Sequence, residues 1–318
     1  MPPIPLAVGV LTFRRPALVA ELVPVLVAQV EALAGVADGV VLVVDNDPDA
    51  SSREAVAAVA AQHPGRVRWV HEPRPGIAAA RNRAIDESAD ARLLAFIDDD
   101  ERPEPRWLAE LVGTWVAHDP AAVAGRVLEE FQSDPDPWVV AGGFFRRRSL
   151  PSGTQVEASG AGNLMLDLDR LRAAGLRFDP RFSLSGGEDT MLCRQMRQAG
   201  MTIVWCDEAQ VTDLVPDARA TRRWVLHRAY SHGNTAAFID VITAPSAGRR
   251  ALTRVRRVVG GAARVPVGAG RWLGGVVLRS QRHQARGLRA VYRGAGMVTG
   301  AIGSVHDEYA REGAVGEA

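Results

Sequence analysis

Over the first hundred residues, short apolar runs alternate with segments whose apolar positions recur at helical spacing. Residues 6–11 (LAVGVL), 40–44, 67–71 and 92–97 read as strands, the first as a buried one, an apolar run in place of polar–apolar alternation. Pro16 suits a first helical turn and opens a helix to about residue 33. Ser51 or Ser52 caps a second over 53–61. Pro73 and Pro75 break the chain before an Ala-rich helix over about 77–88. Strands joined by helical crossovers pair in parallel, so this half of the chain reads as a nucleotide-binding half-sheet.

Beyond residue 105 the rhythm changes. A helix is expected over 105–117, extended chain over 123–128, a loop of little periodicity over 131–158 and a strand over 160–166. Gly186 and Gly187 precede a helix over 188–198, followed by a strand at 202–205 and a helix over 221–239. From about residue 245 the chain turns Gly-rich and Arg-rich. The expected architecture is α/β: a mostly parallel sheet flanked by helices in residues 1–240, with a nucleotide-binding half over about 1–105 and an acceptor half over about 106–240, then a helical appendage over 241–318.

The composition of the 318 residues, 47% hydrophobic and 24% charged, excludes disordered, collagen-like and disulfide-scaffold classes. No run approaches the roughly 20 apolar residues that a membrane-spanning helix needs. Residues 1–10 carry no basic group, which argues against a signal peptide. The two cysteines, Cys193 and Cys206, are too few for a disulfide framework or a Cys-based zinc site, and a cytoplasmic protein is expected. The net charge of +1 conceals an asymmetry. Residues 1–240 hold 25 Arg against 33 acids, whereas residues 241–306 hold 12 Arg and no acid, so the two regions face different partners.

Candidate chemistry starts at Asp98, Asp99 and Asp100, an acidic triplet at the carboxyl end of an apolar strand, where open α/β sheets bind ligands. Crowded carboxylates repel unless a cation neutralises them, and hard oxygen donors suit Mg²⁺ or Mn²⁺ held jointly with a diphosphate. Three acids alone describe a solvated turn equally well. Thr12 and Asp45 follow the first two strands, and Arg81 lies on the third helix, so polar groups converge on one sheet edge as a nucleotide cradle would require.

The ordered runs VGVLTFRRP, VVLVVDNDP, GIAAARNRAI, LLAFIDDDERPEPRWL and SLSGGEDTMLCRQMRQAG resemble family 2 glycosyltransferases of the GT-A fold, in particular bacterial enzymes of succinoglycan-type exopolysaccharide. The resemblance covers roughly residues 4–240. It implies a metal-dependent, inverting transfer of a sugar from a nucleotide-diphosphate donor, a UDP-sugar above all, to a hydroxyl of a lipid-linked saccharide or a specialised-metabolite intermediate. It further implies that Thr12, Asp45, Arg81, Asn82 and Asp98 hold the nucleotide, that Asp100 binds Mg²⁺ or Mn²⁺, that Asp99 is the variable middle place, and that Glu188 and Asp189 are the catalytic acidic pair, with Asp189 the base. Many relatives carry a His after the last core strand. Here Asp213 stands in its place, as an alternative ligand or a loop acid, and His227 and His232 are further candidates for the diphosphate.

Arg279, Arg282, Arg286, Arg289 and Arg293 recur at spacings of 3, 4, 3 and 4, one basic stripe on a helix. It suits the anionic inner face of the plasma membrane, or packing on the acidic remainder of the chain; no nucleic-acid reading motif accompanies it. The competing functions are a nucleotidyltransferase, disfavoured because no Gly-rich phosphate loop follows the first strand, and an inactive sugar-nucleotide binder at a membrane. A dehydrogenase is excluded by the same turn, LTFRRP, which has no G-x-G-x-x-G.

Overall fold

The computed structural model describes residues 2–305; the end of the expected appendage, residues 306–318, lies outside the described residues. One eight-stranded sheet runs in the order β3-β2-β1-β4-β7-β6-β8-β5. Its strands are β1 (Ile4–Thr12), β2 (Ala37–Asp45), β3 (Val67–His71), β4 (Leu93–Asp98), β5 (Glu101–Pro103), β6 (Ala122–Phe131), β7 (Asn163–Asp167) and β8 (Ile203–Val215). The first four pair in parallel, as the crossover pattern requires. β7 then runs antiparallel to β4, β6 antiparallel to β7, and β5 antiparallel to β8.

The helices are α1 (Pro16–Ala32), α2 (Arg53–Gln62), α3 (Ile77–Glu87), α4 (Trp107–His118), α5 (Pro137–Gly142), α6 (Leu168–Ala173), α7 (Glu188–Gln198), α8 (Arg222–Ile242), α9 (Ala247–Val277) and α10 (Gln281–Ala301). Among the described residues, no helix is long and apolar enough to cross a membrane.

Alternation along the buried strands splits the core between the two faces of the sheet. Val8, Val10, Val41 and Val43 meet Leu22, Leu26 and Trp107 on one face, whereas Ala7, Leu42 and Val44 meet Ala80, Ala84 and Phe178 on the other. Two-sided burial is why these strands read as continuous apolar runs. The segment expected as loop over 131–158 contains α5, whose six residues are too short for periodicity to reveal. Asp136 caps α5 by accepting from the Trp138 N–H at 2.8 Å. β8 is also far longer than the expected 202–205: past Cys206 it alternates polar with apolar residues, burying Ala209 and Val211 in the core while it pairs with β5.

The chain divides into two compact units. The first comprises the residues up to Leu128, Arg147–Ser183 and Glu188–Asp213; the second comprises Glu129–Arg146, Leu184–Gly187 and the described residues from Leu214 onward. In the second unit α10 lies along both α8 and α9, with Ala237 and Val241 of α8 buried against Met297 and Ala301 of α10. Residue 240, the boundary expected from composition, therefore falls within a packed helix.

Candidate active site

Parallel pairing sets the register that assembles the site. Thr12 stands opposite Asp45, Leu11 opposite Asp98 and Asp45 opposite His71, so the carboxyl ends of four strands finish level. The chain must leave the sheet there, and its polar side chains collect where the strand ends stop satisfying backbone groups.

Thr12 donates its hydroxyl to Asp99 Oδ2 at 2.8 Å, and Arg15 Nη1 reaches Asp99 Oδ1 at 2.7 Å and Asp100 Oδ2 at 2.9 Å. Asp45 is fully buried; its Oδ1 accepts from the Asp47 N–H at 3.0 Å and its Oδ2 from the Ser52 N–H at 2.8 Å and the Ser52 hydroxyl at 2.6 Å. Those bonds fold the turn after β2. Asn82 pairs its side-chain amide with the backbone of Phe178 through bonds of 2.8 and 3.0 Å, tying α3 to a segment 96 residues away.

Arg81 is the junction. Its guanidinium is buried beside the edge-to-face pair of Phe96 and Phe178, with ring centroids at 5.9 and 5.5 Å. From there Nη2 lies 3.7 Å from Asp98 Oδ1, and Nη1 is ion-paired with the buried Glu188. Two acidic motifs 90 residues apart in sequence are thereby joined through one cation. Glu188 opens α7, and burial pushes its carboxyl up to about 7, opposed by Arg81 and reinforced by Asp189. Asp189, next on the helix, is half-buried, accepts from the Thr190 hydroxyl at 3.1 Å and directs Oδ2 toward Gly160, where a Cβ would stand 3.7 Å away.

Glu101 was not anticipated. Its Oε2 accepts from the Asp98 N–H at 3.2 Å, and a Cβ on Gly162 would come within 2.7 Å of Asp98 Oδ2 and 3.0 Å of Glu101 Oε1, so both carboxylates crowd over a glycine. Asp213 stands opposite Glu101 in the β5–β8 register and holds Arg147 at 2.5 Å. Withdrawal from water, then the charge of neighbouring acids, holds both Asp98 and Glu101 above the ordinary carboxylate range, with Arg81 working against this at Asp98. The signal for Glu101 was simply its place as a fourth acid after the triplet.

Arg15 and Asn163 were missed too, whereas Asn46 belongs to the polar groups expected at this sheet edge. Asn46 donates to the carbonyls of Glu72 and Arg74, both at 2.7 Å, and accepts from the Gly76 N–H at 3.1 Å, which shapes the loop into α3. Asn163 accepts from Trp107 Nε1 at 2.8 Å and donates to the carbonyls of Arg126 and Ala209. A lone amide inside the apolar run GAGNLML was its signal.

Among the described residues, no three His, Cys, Asp or Glu side chains close on a common point as a dedicated metal cage would. The acids present nevertheless fit a hard divalent cation of the kind bound by one or two carboxylates plus substrate phosphates. Their donors are all oxygen, and their mutual repulsion is what a cation relieves. Neither thiol adds chemistry: both are buried, and burial pushes Cys193 up to about 12.

In the second unit, His227 lines an open cleft of about 330 Å³ with Thr221, Arg223, Trp224, Arg228 and Ser231. His232 is exposed elsewhere on α8 and does not line the cleft. Arg222 is committed to Asp136, at 2.5 and 3.1 Å, and lies over the Trp138 ring.

The family model for glycosyl transferase family 2 matches residues 8–165. The succinoglycan biosynthesis protein ExoM of Rhizobium meliloti (strain 1021) is 33% identical over 228 residues, 72% of this chain and 72% of that protein. The chain belongs to glycosyl transferase family 2. Among solved structures, the mannosyltransferase PcManGT from Pyrobaculum calidifontis, in complex with GDP-Man and Mn²⁺, superposes with a TM-score of 0.60 at 17% identity, covering 94% of this chain and 87% of that one. GalNAc-T7, solved with UDP, GalNAc and Mn²⁺, gives a TM-score of 0.50 at 12% identity over 74% of this chain, which spans about half, 51%, of that neighbour's length. These likenesses show the GT-A fold, and the family membership makes the protein a glycosyltransferase.

Proposed function

We propose that the protein is a metal-dependent, inverting glycosyltransferase that moves a sugar from a nucleotide-diphosphate donor, a UDP-sugar, to a hydroxyl of a lipid-linked saccharide at the inner face of the plasma membrane. The observation that carries the reading is Arg81, whose buried guanidinium ties Asp98 at the end of β4 to Glu188 at the start of α7. Two solved neighbours hold a nucleotide or nucleotide sugar with Mn²⁺, and the related protein acts in succinoglycan biosynthesis, which supports a nucleotide-sugar donor and a saccharide acceptor.

In this reading Asp100 would hold a divalent cation, Mg²⁺ or Mn²⁺, and Asp98 the nucleotide of the donor, with Asp213 adding charge opposite Glu101. When bound, the cation stabilises the negative charge that develops on the departing diphosphate. Thr12 and the turn built on Asp45 frame the base, while Arg81 and Asn82 fix α3 behind it. Glu188 orients the first turn of α7. Asp189 takes the proton of the attacking hydroxyl, and attack from the face opposite the leaving group inverts the anomeric carbon. His227, in its basic cleft, stays a candidate for a phosphate group.

A thermal-shift screen of nucleotide sugars with and without Mn²⁺ or Mg²⁺ tests the donor half of this reading. One UDP-sugar should stabilise the wild type only when metal is present, and Asp100→Ala should abolish that stabilisation. Stabilisation independent of metal, or undiminished in Asp100→Ala, would remove the metal assignment.

A further inference from the structure

Arg282, Arg286, Arg289 and Arg293 of the expected basic stripe lie on α10, whereas Arg279 sits in the turn before it at φ 51°, and α10 is largely committed inside the second unit. Ala285 and Met297 are buried, and Arg289 donates to the Gly143 carbonyl at 3.3 Å and stacks on the Phe144 ring. Among the described residues, the apolar face left uncovered belongs to α9. Leu252, Val255, Val259, Leu273 and Val277 are 44%, 58%, 62%, 55% and 82% exposed. Their spacings place them on one stripe of the helix, with the small or apolar Ala262, Ala263, Pro266 and Gly270 between them. The opposite face carries Gly261, Gly268 and Gly275, buried against α10.

Along one flank of the apolar stripe stand Arg249, Arg256, Arg264 and Arg271, all exposed. Residues 241–305 contain no acid. An apolar face of this length on a soluble unit marks a contact surface, and its flanking charge selects what covers it. A second copy of the chain would bring another set of arginines and no carboxylate from this region to balance them. A bilayer with anionic headgroups answers both features at once: the aliphatic side chains enter the headgroup boundary, and the arginines reach sideways to the phosphates.

We propose that the outer face of α9 docks the protein, helix axis in the membrane plane, on an anionic lipid surface. The seven arginines of α9 keep the helix at the interface rather than across the bilayer. This surface is independent of the donor chemistry assigned above.

The test is co-sedimentation of the full-length protein with phosphatidylglycerol vesicles and with phosphatidylcholine vesicles. Wild type should bind the former, with affinity falling as salt rises, and bind the latter far more weakly. Val259→Asp with Leu273→Asp should lower partitioning more than about tenfold. Arg256→Gln, Arg264→Gln and Arg271→Gln together should lower it about fivefold per arginine and flatten the salt dependence. All these side chains are exposed, so donor-induced thermal stabilisation should survive in both variants, which separates failure to dock from failure to fold and from failure of the donor reading. Equal binding by wild type and both variants would overturn the proposal. So would wild type that ignores phosphatidylglycerol but self-associates through this face, with the aspartate variant monomeric.

Discussion

Asp189 is flanked by neighbours that leave it different work from Glu188. Glu188 is enclosed with Arg81, whereas Asp189 keeps part of its carboxylate toward Gly160, where only a hydrogen projects. Asp189→Asn should therefore lower kcat by about 10² to 10⁴ while donor affinity holds, because the amide keeps the shape and loses the proton acceptor. Donor affinity falling in step with kcat, measured by calorimetry, would make the residue a binding group. Glu188 predicts a pH signature of stability. Its folded carboxyl titrates at about 7, above the ordinary 4.5, so the folded chain keeps a proton that the unfolded chain has released. The stabilisation is whole below about 4.5 and is lost as pH climbs through about 7. Denaturant unfolding across that window should show a decline that Glu188→Gln flattens; a decline retained in full by the variant would place the titration on another group. Gly76 is fixed for a steric reason: at φ +112° a Cβ would collide with Ser183 and stand 2.8 Å from its carbonyl oxygen.

At the scale of elements, the α9–α10 hairpin shows contact overriding propensity. Each glycine inside a helix costs about 1 kcal/mol relative to alanine, so the helical appendage expected here is not held by propensity. Yet a Cβ at Gly261 would stand 2.7 Å from the Gly294 carbonyl oxygen, and one at Gly268 the same distance from that of Gly287. The two backbones touch at a seven-residue repeat that only hydrogen side chains permit. Gly268→Val should force them apart at a cost of about 1–3 kcal/mol, read as a drop in the denaturant midpoint. An unchanged midpoint would mean the hairpin is held elsewhere. The strands tell the opposite story: β1, β2 and β4 were legible because burial on both faces leaves a run that no surface helix imitates. α5 and β5, six and three residues long, were illegible because each rests on tertiary partners, Arg222 for the cap of α5 and β8 for β5.

At the scale of the whole molecule, the appendage expected from composition is part of a packed unit. Tyr230 and Asn234 of α8 both contact the Thr299 hydroxyl of α10, at 2.8 and 2.9 Å, and Met297 closes over Ala237 and Val241. Truncation after Pro245 would bare that face of α8, so the shortened chain should aggregate or lose its cooperative transition by calorimetry. A monomeric truncated chain with a sharp transition would show that α8 is stable alone.

The sequence by itself determined the parallel half-sheet, the level line of Thr12, Asp45 and Asp98 at its edge, and the family, because apolar runs and turn residues act locally and the motifs keep their order along the chain. Only the tertiary structure decided that Arg81 bridges Asp98 and Glu188, that Glu101 crowds Asp98, and that the apolar face left to solvent lies on α9 and not α10. Each of these depends on partners tens of residues distant or on which face of a helix another helix covers. No local pattern of charge or hydropathy carries that information.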